Sequence, residues 1–127
     1  MTKQTEAALQ RTVVQYLSYA LPRHEVLFWH TPNGGLRSRA TAGRLKAEGV
    51  VPGVADIIIV WAGRCIAIEL KAKGGSQSPA QKAWADQFTT AGGVYVVCRS
   101  LDAVERFLDA AGIPLRASVG GTSCASI

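Results

Sequence analysis

The sequence predicts an α/β protein in which a mixed sheet of about four strands is flanked by helices. Two neighbouring segments, 56–61 and 65–71, are short, rich in β-branched residues and apolar on both faces, which is typical of strands covered on each side. Helical patterns precede and follow them. A further strand at 94–98 comes directly after a helix, an order that favours a parallel pairing with its sheet neighbour.

In the first half of the chain, apolar residues at helical spacing predict a helix over 3–20. Residues 25–31 indicate a strand, and the Pro32–Gly35 segment breaks it into a loop. A short helix over 40–48 is expected to end at Gly49, because glycine is common at helix C-termini.

The two central strands form a predicted β-hairpin. If Ala62 and Gly63 make a two-residue turn, the pairing places Asp56 directly across from Glu69. Opposed side chains lie on one face with Cβ atoms about 5 Å apart. Lys71 shares that face because side chains alternate along a strand. Two carboxylates and an amine are therefore predicted to meet.

Opposed carboxylates on an apolar hairpin repel each other and lose solvation, so they need a neutralising partner. Mg²⁺ is suited to this, since it accepts one or two protein carboxylates and keeps other positions for water and phosphate. Lys71 would orient the attacking water and offset negative charge. The alternative is that Asp56 closes a turn while Glu69 and Lys71 form a surface ion pair; the joint pattern favours the metal site.

In the second half, Ser78–Gln81 has the composition of a capping box that begins a helix. Ser100 is expected to cap a last helix that ends near Ala111. Residues 1–111 are therefore predicted to form a single domain, and 112–127, which lack periodicity, a flexible tail. A short strand or a partner contact near Leu115 remains an alternative.

Composition favours a small protein of the cytoplasm. The 127 residues, 48% of them hydrophobic, suffice for one core. No apolar run approaches the roughly 20 residues that span a bilayer, and the polar start is unlike a signal peptide. The cysteine and histidine residues are too few and too scattered to predict a disulfide framework or a zinc site: Cys65, Cys98, Cys124, His24 and His30.

Positive charge is concentrated around the predicted site. The net charge is +5, and residues 36–82 carry eight basic side chains against three acids, two of which are Asp56 and Glu69. Cationic side chains that neutralise phosphates supply affinity for nucleic acid, although a solvated basic face is the alternative. The eight are Arg37, Arg39, Arg44, Lys46, Arg64, Lys71, Lys73 and Lys82.

Four motifs give the chain a family resemblance. It resembles the virus-type replication-repair nuclease (VRR-NUC) domain of the PD-(D/E)xK superfamily from about Glu6 to about Leu108. The resemblance implies a restriction-endonuclease-like core. The motifs are Val51-Pro52-Gly53-Val54-Ala55-Asp56, Ile68-Glu69-Leu70-Lys71-Ala72, Ser78-Pro79-Ala80-Gln81 and Gly92-Gly93-Val94.

The resemblance implies that Asp56, Glu69 and the backbone carbonyl of Leu70 hold Mg²⁺ or Mn²⁺, with Lys71 as the catalytic lysine. One position departs from the family pattern, because Ala55 stands where proline usually precedes the aspartate. Proline holds no metal, so the change concerns the rigidity of the loop more than activity.

The resemblance also implies roles outside the hairpin. Glu6 would reach the metal from the first helix, although an acid there also suits the helix dipole. Gln81 would lie near the metal or its water, with helix capping as the alternative. The loop at Asn33 could equally be a surface turn. The predicted DNA-contacting residues are Asn33, Arg37, Arg39, Arg44, Lys46 and Lys73.

The function implied is a Mg²⁺- or Mn²⁺-dependent DNA endonuclease of bacterial or phage origin, acting as a homodimer on branched DNA such as a four-way (Holliday) junction. No nucleotide cofactor and no membrane partner are expected. Three alternatives stay open at this point: a restriction-type or nicking nuclease on duplex DNA, a catalytically idle DNA-binding module on the nuclease fold, and a purely structural α/β protein.

Overall fold

The computed structural model describes residues 4–32 and 39–116, apart from the side chain of Arg39. Within these ranges no helix is both long enough and apolar enough to cross a membrane. The elements follow the predicted order, and their bounds are α1 Glu6–Ala20, β1 Val26–His30, α2 Arg39–Ala47, β2 Ile57–Trp61, β3 Arg64–Leu70, α3 Pro79–Thr90, β4 Val94–Cys98 and α4 Leu101–Ala110.

The four strands form one mixed sheet in the order β1-β2-β3-β4. Strand β2 is antiparallel to both β1 and β3, whereas β3 and β4 are parallel. Helix α3 connects the parallel pair, as the crossover between such strands requires. The predicted α/β class and the mixed sheet of four strands are confirmed.

The turn between β2 and β3 sets the register of the hairpin. Ala62 and Gly63 have φ angles of 50° and 76°. Positive φ at both central residues is the signature of a type I′ turn, whose twist matches that of paired strands. The pairing that follows confirms the predicted register, so Asp56, just before β2, falls opposite Glu69.

Both faces of the sheet are covered, as the apolar strands predict. On one face, α1 and α4 pack on a core of large aliphatic side chains that includes Ile57, Ile59, Ile66 and Ile68. The other face carries a smaller cluster under α3, formed by Ala55, Ile58 and Ala67 with Cys65, Trp84, Phe88 and Tyr95. The side chains of Asp56, Glu69 and Lys71 belong to this α3 face, because they alternate with the first set along the strands.

A close contact at Gly53 fixes the segment that leads into β2. A Cβ atom there would lie 2.2 Å from the carbonyl oxygen of Ala80, and the φ angle of Gly53 is +80°. Only glycine allows this approach to the first turn of α3. Ala55 is fully buried. Packing on α3 therefore holds the segment that leads into β2.

Two buried residues follow α4 and belong to the core. Ile113 and Leu115 are each only 4% exposed and pack with the α1 side of the core. The backbone N–H of Arg116 donates to the carbonyl of Ala20 at 2.7 Å. Two apolar residues of the segment 112–127, too few to show periodicity, thus fill a gap beside α1. The rest of the predicted tail, 117–127, lies outside the described residues.

Candidate active site

Asp56 and Leu70 bring the ends of β2 and β3 together. The backbone N–H of Leu70 donates to Oδ2 of Asp56 at 2.8 Å. In a strand, the N–H and C=O of one residue point toward the same neighbouring strand, so the Leu70 carbonyl also faces the Asp56 side. A carboxylate and a backbone carbonyl are therefore available at one edge of the hairpin.

Glu69 is an acidic side chain inside the protein, with only 1% of its surface exposed. Its Oε2 accepts a hydrogen bond from Nε2 of Gln81 at 2.8 Å. Its Oε1 is buried and has no hydrogen-bond partner among the described residues. An unpaired buried oxygen is costly, and native proteins rarely keep one without a reason. The orphaned oxygen is suited to a cation ligand.

Burial disfavours the charged forms of both carboxylates. Burial, together with the charge of the neighbouring Asp56, raises the pKa of Glu69 to about 7 against the effect of Lys71. Burial also raises the pKa of Asp56, although the Leu70 N–H and the nearby His30 lower it. A nearby cation would counteract this effect, because it favours the charged forms of both carboxylates.

Lys71 lies on the same face and is nearly buried, with 9% of its side chain exposed. Its Nζ is 3.6 Å from Oε2 of Glu69 and 4.0 Å from Oε1 of Glu6. Glu6 is in the first turn of α1. The ammonium is thus held between two acids from different elements, next to the Asp56 and Glu69 pair.

The oxygen donors fit a hard divalent cation. Asp56, Glu69 and the Leu70 carbonyl supply the oxygen ligands that Mg²⁺ or Mn²⁺ prefers, and two carboxylates suffice. No group of three or more His, Cys, Asp or Glu side chains within 4–32 and 39–116 is arranged to hold a metal. Glu6, at the start of α1, has its Oε1 4.0 Å from Nζ of Lys71, and its role as a further ligand stays a prediction.

Gln81 serves two purposes that the sequence presented as alternatives. Its Oε1 accepts from the backbone N–H of Ser78 at 2.8 Å, and its own N–H donates to Oγ of Ser78 at 3.1 Å, which completes a capping box. Its Nε2 remains for Glu69. An amide has both an acceptor and donors, so one side chain begins the helix and orients the acid.

Two further residues that the sequence analysis did not assign support the site. Nδ1 of His30, which also contacts Gln10, lies 2.8 Å from the backbone carbonyl of Asp56. Nη1 of Arg99 donates to the carbonyls of Ala72 at 3.1 Å and Gly75 at 2.7 Å, on the loop that follows Lys71. If the pairing of β1 with β2 had been predicted, it would have placed His30 beside Asp56. No local pattern in the sequence indicates the role of Arg99.

The predicted DNA-contacting residues are only partly described. Arg44 and Lys46 are exposed in the last turn of α2, and Lys73 is exposed just beyond β3. Lys46 also lines a cavity of about 690 Å³ between α2 and the loop before β2. Asn33 and Arg37 lie outside the described residues, as does the side chain of Arg39.

The four-stranded mixed sheet, with its acidic pair and lysine on one hairpin, defines a nuclease-type fold. The family model of the VRR-NUC domain matches residues 4–102, and the chain belongs to this family. A solved structure described as a VRR_NUC domain protein has the same fold, with a TM-score of 0.64 and 24% identity over 85% of this chain and 88% of that one. No curated protein matches the chain.

Proposed function

We propose that this protein is a Mg²⁺- or Mn²⁺-dependent endonuclease that hydrolyses phosphodiester bonds in DNA. Membership of the VRR-NUC family supports the nuclease activity. The observation that carries the metal is the buried Oε1 of Glu69, which has no hydrogen-bond partner among the described residues and lies across the hairpin from Asp56.

Asp56, Glu69 and the Leu70 carbonyl would hold the cation. When bound, such an ion makes its water easier to deprotonate and stabilises negative charge on a phosphoryl oxygen. The N–H of Leu70 keeps Asp56 in place, and Gln81 does the same for Glu69. These contacts preorganise the two acids, so little reorganisation is needed when DNA arrives.

Lys71 acts on the water nucleophile and on the phosphate. Its ammonium is fixed beside Glu69 and shielded from solvent. From there it orients the water for attack in line with the leaving oxygen and offsets the charge that the phosphate gains. Glu6 positions this ammonium through their 4.0 Å contact.

The exposed cations Arg44, Lys46 and Lys73 bind the phosphate backbone. Phosphate contacts position DNA without reading its bases, so substrate choice rests on DNA structure. We propose branched DNA, such as a four-way junction, cut by a homodimer whose two sites match a two-fold substrate. The protein would act on DNA in the cytoplasm, as a single domain.

The direct test is cleavage of labelled junction, flap, linear duplex and single-stranded DNA with Mg²⁺, Mn²⁺ or a chelator. Cleavage of the junction that requires either metal is expected, together with a dimer mass by light scattering. Activity on linear duplex alone would instead identify a restriction-type or nicking enzyme. Salt-sensitive binding without turnover in any divalent metal would identify an idle DNA-binding module.

A further inference from the structure

Two large apolar side chains of β1 are exposed beside the active site. Leu27 is 61% exposed and Trp29 is 44% exposed. Trp29 pairs with Ile58 and Leu27 with Val60, so both lie on the α3 face of the sheet. The aromatic side chains of α3 cover the β3 and β4 side of that face, and β1 is the edge strand.

Trp29 is a close neighbour of Asp56. Its cross-strand partner Ile58 is two residues from Asp56 on the same face, and the Thr31 N–H extends the pairing by donating to the Asp56 carbonyl at 2.8 Å. Diagonal neighbours of this kind are about 7–8 Å apart, within reach of an aromatic side chain. The indole is therefore next to the acids and on their side of the sheet.

Positive charge lies along the same edge. The cavity that Lys46 lines is also lined by Thr31 and Pro32, the two residues that directly follow β1. A cation for the phosphate backbone and a flat aromatic surface thus flank the acidic pair. Proteins that bind single-stranded nucleic acid combine these two features, because every base has a face that can stack on an aromatic ring.

We infer that Trp29 is a stacking platform for an unpaired nucleobase next to the phosphate that is cut. This inference rests on the proposed function and narrows its substrate to branched DNA in which at least one nucleotide at the branch point is unpaired. A base inside a duplex has neighbours on both faces and is not free to stack on protein. A protein partner seated on Trp29 would obstruct the approach to Asp56, which disfavours a dimer contact there.

The test measures binding in a Lys71→Ala background, in which DNA is not cut. The two probes are a duplex with a single-stranded overhang and the same duplex fully paired. Trp29→Ala should weaken binding of the overhang probe by about 5- to 150-fold, the usual effect of losing one stacked base. It should leave the paired probe unchanged, and Trp29→Phe should retain most of the affinity.

Leu27→Ala is the matched control, because Leu27 is the apolar residue two positions earlier on the same face. It should leave both affinities unchanged. Quenching of 2-aminopurine fluorescence at the first unpaired position should report stacking in the parent and disappear in Trp29→Ala.

Equal losses of affinity for the two probes would overturn the inference. It would also be overturned if the effect of Trp29→Ala were confined to converting a dimer into a monomer. The readout needs no cleavage, so an inactive wild-type protein would defeat the proposed function, while the binding data would still decide whether Trp29 stacks on an unpaired base. Normal cleavage with no effect of Trp29→Ala on overhang binding would defeat this inference alone.

Discussion

Gln81 and Glu69 are joined by a hydrogen bond of 2.8 Å from Nε2 to Oε2, so the residue that caps α3 also orients a buried acid of β3. The position of the acid thereby depends on where α3 begins. Substitutions that separate the two roles of Gln81 test whether this coupling matters for activity.

Gln81→Glu should keep the capping box, because glutamate serves at this position as well as glutamine. It would place a carboxylate against Glu69 where a donor now lies, so cleavage should fall. Ser78→Ala tests the other role. It removes the helix cap, which should lower the free energy of unfolding by about 1 kcal/mol, and it leaves the contact between Gln81 and Glu69 in place. Cleavage rates and denaturant melts of both variants check the separation. Equal activity in the two would show that the Glu69 contact is not needed.

Lys71→Ala and Glu69→Ala should each lower the cleavage rate by about 100-fold or more, the range for losing a group that acts on the transferred proton or the developing charge. DNA binding and the circular dichroism spectrum should persist. Arg106→Ala is the control for charge, since this exposed arginine pairs with Asp102 on α4, on the opposite side of the sheet. Undiminished cleavage by Lys71→Ala would show that the lysine has no role in the mechanism.

The metal-free protein should lose stability as pH rises from about 4.5 to about 7, because burial raises the pKa of Glu69 from 4.5 to about 7. In this window the folded protein binds more protons than the unfolded chain, so the free energy of unfolding falls with pH. Glu69→Gln cannot titrate at this position and should flatten that part of the profile. Urea melts in chelator at several pH values measure the difference; parallel profiles would contradict it.

Mg²⁺ or Mn²⁺ should raise the melting temperature at pH 7, since a ligand that binds only the folded state stabilises it by mass action, by about 2.7 kcal/mol at 100 times Kd. Asp56→Asn should abolish most of this shift. Asp109→Asn, which removes an exposed carboxylate from the end of α4, should leave it intact. The same shift in Asp56→Asn as in the parent would place the cation elsewhere.

Leu115→Ala should lower the free energy of unfolding by about 2–4 kcal/mol, because Leu115 fills the core beside α1. Leu27→Ala makes the same chemical change at an exposed position and should have little effect. Chemical denaturation of the two variants gives the comparison. An unchanged free energy of unfolding in Leu115→Ala would show that this residue is not part of the core and belongs to the predicted tail.

Features that depend on neighbouring residues could be predicted from the sequence alone. The hairpin register followed from the Ala62-Gly63 turn, and the alternation of side chains then placed Glu69 and Lys71 on one face. The start of α3 followed from Ser78 and Gln81. Such features are set by backbone geometry over a few residues, so local patterns are sufficient to predict them.

The distant residues that contact these features became evident from the packing of the folded chain. The pairing of β1 with β2 brings His30 and Trp29 to Asp56, and the burial of Leu115 extends the core past the last helix. Glu6 reaches Lys71 only because the first turn of α1 lies beside the end of β3. These contacts depend on how the layers of the fold pack against one another. Segments far apart in the chain carry no local pattern that specifies their partner.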